Sequence, residues 1–244
     1  MDRLAAWLSR HPGCEWQAAI SPHAPYSASS NLYRECAGLA SRLHIPLTTH
    51  WAESAEEAQL FQAGGGPLRA LLPNDWIAGS LSDRCGTLPT GSLLAHANHL
   101  SLEDLQNLQT RGCFLVHCPT SHAWFGRKPF PLEIIRQQKL PIILGTDSPA
   151  SSDNRSLDLR IEARAFHQAH PEVSWKEIWS MLTTLPAEAL GQADRLGSLT
   201  PGAEADWVGW KINSSVDPVS AILTSTDPVE MLSVAGHLHQ PTKI

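Results

Sequence analysis

Residues 49–53, Thr49-His50-Trp51-Ala52-Glu53, follow the apolar run Ile45-Pro46-Leu47 and place a histidine and a carboxylate just beyond it. Residues 144–148, Leu144-Gly145-Thr146-Asp147-Ser148, place a carboxylate in the same way after Pro141-Ile142-Ile143. A short apolar run bounded by turn signals is the pattern of a buried strand. Two more such runs end in histidine, Ser92–His96 and Cys113–His117, and Trp16–Ser21 leads to Pro22-His23. In a (β/α)₈ barrel the groups that do chemistry stand just past strand ends.

Helical spacing fills the gaps. Helices are predicted near Asn31–Leu43, Ala55–Ala63, Leu102–Arg111, Leu132–Gln138 and Leu157–His167. Alternating strands and helices imply a parallel sheet. Ser54 with Glu57, Ser101 with Asp104 and Ser174 with Glu177 each fit a capping box. After Ser174 the spacing of Trp175, Ile178, Trp179 and Leu182 stays helical, Pro186 fits the first turn of a further helix, and Gly191 its end. Gly64 to Pro89 is a long excursion with Trp76, of the length expected of a substrate-shaping loop. From about Leu196 the pattern turns to short strands, which reads as a small β appendage.

At 244 residues, 42% apolar and 17% charged, the chain is long enough for a sizeable core. A net charge of −6 without a basic run argues against a nucleic-acid partner. No apolar stretch is long enough to span a membrane. Met1–Trp7 has no signal-peptide pattern, and Leu4, Trp7 and Leu8 suggest an amphipathic helix. The five cysteines, Cys14, Cys36, Cys85, Cys113 and Cys118, show no Cys-x-x-Cys spacing and read as free, buried thiols of a cytoplasmic protein.

His50 and Asp147 carry the nitrogen and oxygen donors that suit zinc, iron or manganese. Glu53 stands near enough to handle protons, and His96 and His23 would flank the site. Each histidine taken alone also fits a hydrogen-bonded, structural role. His122 and His117 fit pocket lining or loop packing. His167 and His170 near a helix end fit capping. His237-Leu238-His239 reads as a strand with outward histidines, and Trp207 and Trp210 as packing of the appendage.

Together these stretches resemble the amidohydrolase superfamily, in its deaminase and chlorohydrolase branch. Ser21–Ser27, His50–Glu53, Ala95–Leu100, His117–His122 and Gly145–Ser148 occur in that family's order, and Asp194–Val208 is similar to its re-entry into a small β domain. Cys118–Gly126 looks like the aminodeoxyfutalosine deaminases. The resemblance implies an α/β fold: strands four to eight of a TIM-type barrel over residues 1–195, then a fragment of a β-sandwich over 196–244. It implies His50 and Asp147 as ligands of a divalent metal, Glu53, His96 and Asp147 as catalytic residues, and His23, His96 and His122 against a small-molecule substrate. The reaction implied is hydrolytic deamination of a cyclic or amidine-bearing molecule.

The family's first strand supplies a His-x-His that has no counterpart here. The chain is therefore expected to be truncated at its N-terminus, to bind metal weakly and to be inactive alone. The alternatives are a non-catalytic remnant and a subunit completed by a separate N-terminal chain. Open sheet edges, and an inner face of Leu47, Leu94, Leu115 and Ile143 left bare, predict self-association.

Overall fold

The computed structural model describes residues 6, 10, 17–73, 81–152, 155–212 and 217–240. In chain order the elements are α1 (Ser30–Leu43), β1 (Thr48–Trp51), α2 (Ala55–Ala63), α3 (Leu81–Cys85), β2 (Leu93–His96), α4 (Leu102–Thr110), β3 (Phe114–His117), α5 (Pro119–Trp124), α6 (Leu132–Gln137), β4 (Ile142–Leu144), α7 (Leu159–Ala169), α8 (Trp175–Leu182), α9 (Thr184–Ala189), β5 (Trp207–Gly209), α10 (Pro218–Thr224), β6 (Met231–Val234) and β7 (His237–His239). The chain is α/β and divides into two compact units: residues 1–117 with 127–141, and residues 118–126 with 142–244. The expected N-terminal helix, Cys14, Trp16 and Trp76 lie outside the described residues. Among the described residues no helix is long and apolar enough to cross a membrane.

In the first unit β1, β2 and β3 pair in parallel, Thr48 opposite Leu93 and Leu93 opposite Phe114. Strand side chains alternate between faces. Thr49, Trp51, Leu94 and Leu115 are buried, whereas Thr48, His50, Leu93, Ala95 and Val116 are half-buried. The bare apolar face predicted from sequence is thus corrected. Leu47, Leu94, Leu115 and Ile143 are all at most 4% exposed. Leu94 and Leu115 share the face of Thr49, which α1 covers, and the more open face carries Thr48, His50, Leu93, Ala95 and Val116 instead.

The predicted strand over Trp16–Ser21 is also corrected. Its described part makes only one bridge, Ile20 with Leu47. Ile20 donates to the Pro46 carbonyl and accepts from Thr48 N–H, both at 3.0 Å. Pro22 then has no N–H to give, so the ladder stops there. His23 resumes it, its carbonyl accepting His50 N–H at 2.9 Å.

Helix starts follow the chemistry of their caps. Ser29 caps α1 through Leu32 N–H. Ser101 and Asp104 form the full capping box of α4. Ser54 accepts Glu57 N–H, as predicted, but the Glu57 carboxylate does not return to Ser54. It bonds Ala52 and Glu53 N–H instead, because the chain turns sharply there. In the long excursion, Arg84 donates to the Ala28 carbonyl at 3.0 Å and lies over the Tyr33 and Phe61 rings, which anchors the segment. Cys36, Cys85, Cys113 and Cys118 are free and buried, as expected.

In the second unit α7, α8 and α9 pack on the fully buried β4, and α10 packs on α7 and α8. The C-terminal strands form an antiparallel sheet, β5-β6-β7, with Trp207 opposite Ser233 and Ser233 opposite Leu238. Helix α10 interrupts it, which the sequence pattern did not suggest. His237 and His239 are exposed, as expected, and so is Leu238 at 68%. Trp210 lies under the Arg160 guanidinium of α7, 5.2 Å away, rather than inside the sheet. His170 caps α7 through its backbone, and the His167 ring meets the Val173 carbonyl at 3.0 Å.

Candidate active site

The first unit gathers its polar groups at the C-terminal ends of β1 and β2. Thr49 and Trp51 face α1, where Tyr33 bonds Thr49 Oγ1 at 2.6 Å and packs edge-on against Trp51. The residue between them, His50, therefore points to the other face. Its Nδ1 lies 2.9 Å from the His23 carbonyl. A carbonyl only accepts, so Nδ1 carries the proton and Nε2 the lone pair. Metal-binding histidines are commonly oriented in this way.

The His50 ring stacks on His96, centroids 5.4 Å apart and 22° from parallel, and meets His23 at 5.0 Å. His23 is turned by a short contact with Ser27 Oγ. Its ring also meets Tyr26 edge-on. Burial first, and the charges of Glu57 and Glu53 second, raise the Tyr26 pKa above its ordinary value.

Glu53 lies at the centre of this group. Its Oε1 accepts from Arg127 Nη2 at 2.9 Å, and its Oε2 lies 3.9 Å from His96 Nε2. The carboxylate is 23% exposed, so it is partly shielded and still accessible. Behind it the backbone is pinned. Glu57 accepts Ala52 N–H at 3.1 Å and Glu53 N–H at 2.9 Å. The Ala52 carbonyl accepts from Asn98 and His99 N–H, and the Glu53 carbonyl from Asn98 Nδ2. Burial pushes Glu57 up to about 7, its two backbone bonds opposing the rise.

Three non-glycine residues here have left-handed backbone: Ala52 at φ 47°, His96 at φ 72° and Ala97 at φ 52°. Ala97 N–H bonds both the Trp51 carbonyl and the Ala95 carbonyl, closing a tight turn about His96. Such conformations are costly, and they cluster at functional sites. His99 nearby is held below its ordinary pKa by burial and then by the Arg127 and Lys128 charges. His117 stacks on Phe130, centroids 3.8 Å apart, so it orders the 127–131 segment.

Asp147 and His122 belong to the second unit. Asp147 also has left-handed backbone, φ 55°. Its Oδ2 accepts from Ser121 Oγ at 2.6 Å and its Oδ1 from Ser148 N–H at 2.7 Å. Beside it the buried Glu162 accepts from Thr120 N–H at 2.9 Å and Thr120 Oγ1 at 2.5 Å. Burial first, then the Asp147 charge, raise the Glu162 pKa, while Thr120 lowers it. His122 is half-buried in α5.

The structure thus brings His23, His50, Glu53 and His96 together in one unit and gives Asp147 its hydroxyl partner in the other. Sequence reasoning missed Arg127, Tyr26 and Glu162, and took Glu57 for a helix cap alone. Only Glu57 had a sequence signal. As a metal donor His50 fits, by its tautomer. A catalytic zinc site takes three protein ligands. Among the described residues no group of three His, Cys, Asp or Glu side chains is close enough to hold an ion.

Strand-end histidines, a clamped carboxylate and strained turns thus stand together at one end of a parallel sheet in an α/β chain. The chain matches the amidohydrolase family over residues 5–238, and it belongs to that family. It is 28% identical to an 8-oxoguanine deaminase of Pseudomonas aeruginosa over 243 residues, aligning 96% of this chain with 52% of that protein. The aminofutalosine deaminase of Helicobacter pylori has the same fold, with a TM-score of 0.86 at 24% identity, covering 98% of this chain and 63% of that one. So does an adenosine deaminase of Xanthomonas campestris with bound zinc, with a TM-score of 0.78 at 24% identity, covering 97% and 55%. The chain spans about half the length of the relatives it matches.

Proposed function

We propose that this chain carries the proton-handling part of a metal-dependent hydrolytic deaminase. The observation that supports this best is the Glu53 carboxylate, held by Arg127 on one oxygen and facing His96 with the other, three residues beyond His50. Residues 1–195 would then be part of a (β/α)₈ barrel and 196–244 part of a small β-sandwich.

His50 and Asp147 would be the metal donors, and a divalent cation, zinc by analogy with the relatives, would supply the acidity that makes water a nucleophile at neutral pH. The described residues provide too few donors for a complete site. Asp147 accepts a proton from the attacking water. Glu53 takes the other proton of that water at Oε2 and carries it to the nitrogen that leaves as ammonia. His96 positions the reacting groups, and His23 and His122 contact the substrate, a small cyclic or amidine-bearing molecule.

The test supplies the missing donors. The chain is fused to the part of the Pseudomonas aeruginosa protein that it does not match. Ammonia release is assayed with zinc and 8-oxoguanine, guanine, adenosine and 5′-methylthioadenosine. Release from one of them supports the proposal, and a folded, zinc-loaded fusion that releases none contradicts it.

The absence of a three-donor group among the described residues favours a second reading, a non-catalytic chain or a subunit completed by a partner. Substrate binding without turnover in the same fusion would support the non-catalytic chain.

A further inference from the structure

A cleft of about 470 Å³ opens between α1 and the segment that leads into β2. It lies at the other end of the sheet from the site above. Thr90 precedes β2 and Arg111 precedes β3, whereas His50, Glu53 and His96 come at or after strand ends. Arg34, Gly38 and Ser41 recur at helical spacing and share one face of α1. Arg111, Leu88 and Thr90 line the opposite wall.

Among the described residues no carboxylate lines this cleft, in a chain of net charge −6. Arg111 is fixed in place, because its Nη1 donates to the Leu88 carbonyl at 2.8 Å and its own carbonyl accepts Gly91 N–H. That uses one donor of a five-donor fork. Among the described residues Arg34 makes one long contact, Nη2 to Asn31 Oδ1 at 3.4 Å. Arg34 and Ser41 thus line one wall of the concavity, and Thr90 and Arg111 the other.

Gly38 adds an independent observation. Glycine in mid-helix weakens the helix. Here packing does not require it, since an added Cβ would meet only Arg42 Nη1, at an ordinary 3.5 Å. Gly38 lines the cleft and puts no side chain into it.

We propose that this cleft binds the phosphate group of a small phosphorylated molecule between Arg34 and Arg111. Paired guanidinium forks match the geometry and charge of a phosphate dianion. The volume exceeds that of a lone phosphate and leaves room for the rest of such a ligand.

The test titrates the chain by calorimetry with inorganic phosphate and with ribose 5-phosphate, ionic strength held constant with chloride. Saturable one-to-one binding is expected, weakened about tenfold or more by R34Q. Arg34 is exposed, so this variant keeps the fold, and R111Q serves as the second. G38L is expected to raise the melting temperature while removing binding, a combination that general destabilisation cannot produce. Tighter binding of ribose 5-phosphate assigns the site to a phosphate monoester, and equal binding to the free ion. No saturable binding, or binding unchanged in R34Q, would overturn the proposal.

Discussion

Glu57 accepts the backbone N–H of Glu53 at 2.9 Å, so one buried carboxylate positions another that is accessible. Glu57 is fully buried, and its second oxygen holds Ala52 at the strained turn. The geometry of the candidate proton carrier therefore depends on a residue that does not itself reach the reacting face.

This arrangement predicts a pH effect on stability. Burial pushes Glu57 up to about 7 from its ordinary value of 4.5. Between those values the native state holds more protons than the unfolded state, so stability from this group falls as pH rises through the window. Urea unfolding of wild type and Glu57→Gln at pH 5 and pH 8 isolates the term. The wild type should lose stability relative to the variant on going to pH 8. A relative gain would show that Glu57 is stabilised as the anion.

Arg127→Gln should separate stability from chemistry. The Arg127–Glu53 pair is partly exposed, so its loss should change unfolding stability by less than about 1 kcal/mol. In the active fusion the same change should lower kcat about tenfold or more, because Glu53 loses the group that orients it. Arg127→Lys should recover part of that loss. Equal kcat for the Gln variant and the parent would remove Arg127 from the account.

Leu94→Ala and Leu115→Ala test the assignment of sheet faces. Both side chains are fully buried. Each truncation should cost about 2–5 kcal/mol in denaturant unfolding. A cost of a few tenths, as for an exposed leucine, would restore the bare inner face that the sequence suggested.

Zinc should bind the isolated chain weakly. His50 presents a suitable nitrogen, but no three-donor group occurs among the described residues. Dialysis against a chelator should leave no stoichiometric zinc by atomic emission. Retained zinc that His50→Ala removes would mean that further donors close around His50.

Much of this fold was legible because strand and helix periods differ. Apolar runs ending at His50, His96 and His117 marked strand ends, and Ser54, Ser101 and Ser174 marked helix starts. The faces of the strands were harder. A single apolar run does not say which alternate residues meet the helices, so Leu94 and Leu115 were assigned to the wrong side. The sequence pointed to His23, His50, Glu53 and His96 because each stands in a local motif. Arg127 reaches Glu53 across 74 positions and leaves no local trace. The second role of Glu57 was hidden because Ser54-x-x-Glu57 already had a sufficient explanation as a cap. Pro22 ended the first ladder, an effect visible in sequence but outweighed there by the apolar run before it.

The most direct test of Glu53 as the proton carrier is Glu53→Gln in the fusion that supplies the remaining metal donors. The change keeps size and removes only the ability to move a proton. Ammonia release should fall by about two orders of magnitude or more, with zinc content unchanged. A Gln variant that holds its zinc and still releases ammonia within about tenfold of the parent rate would contradict the account.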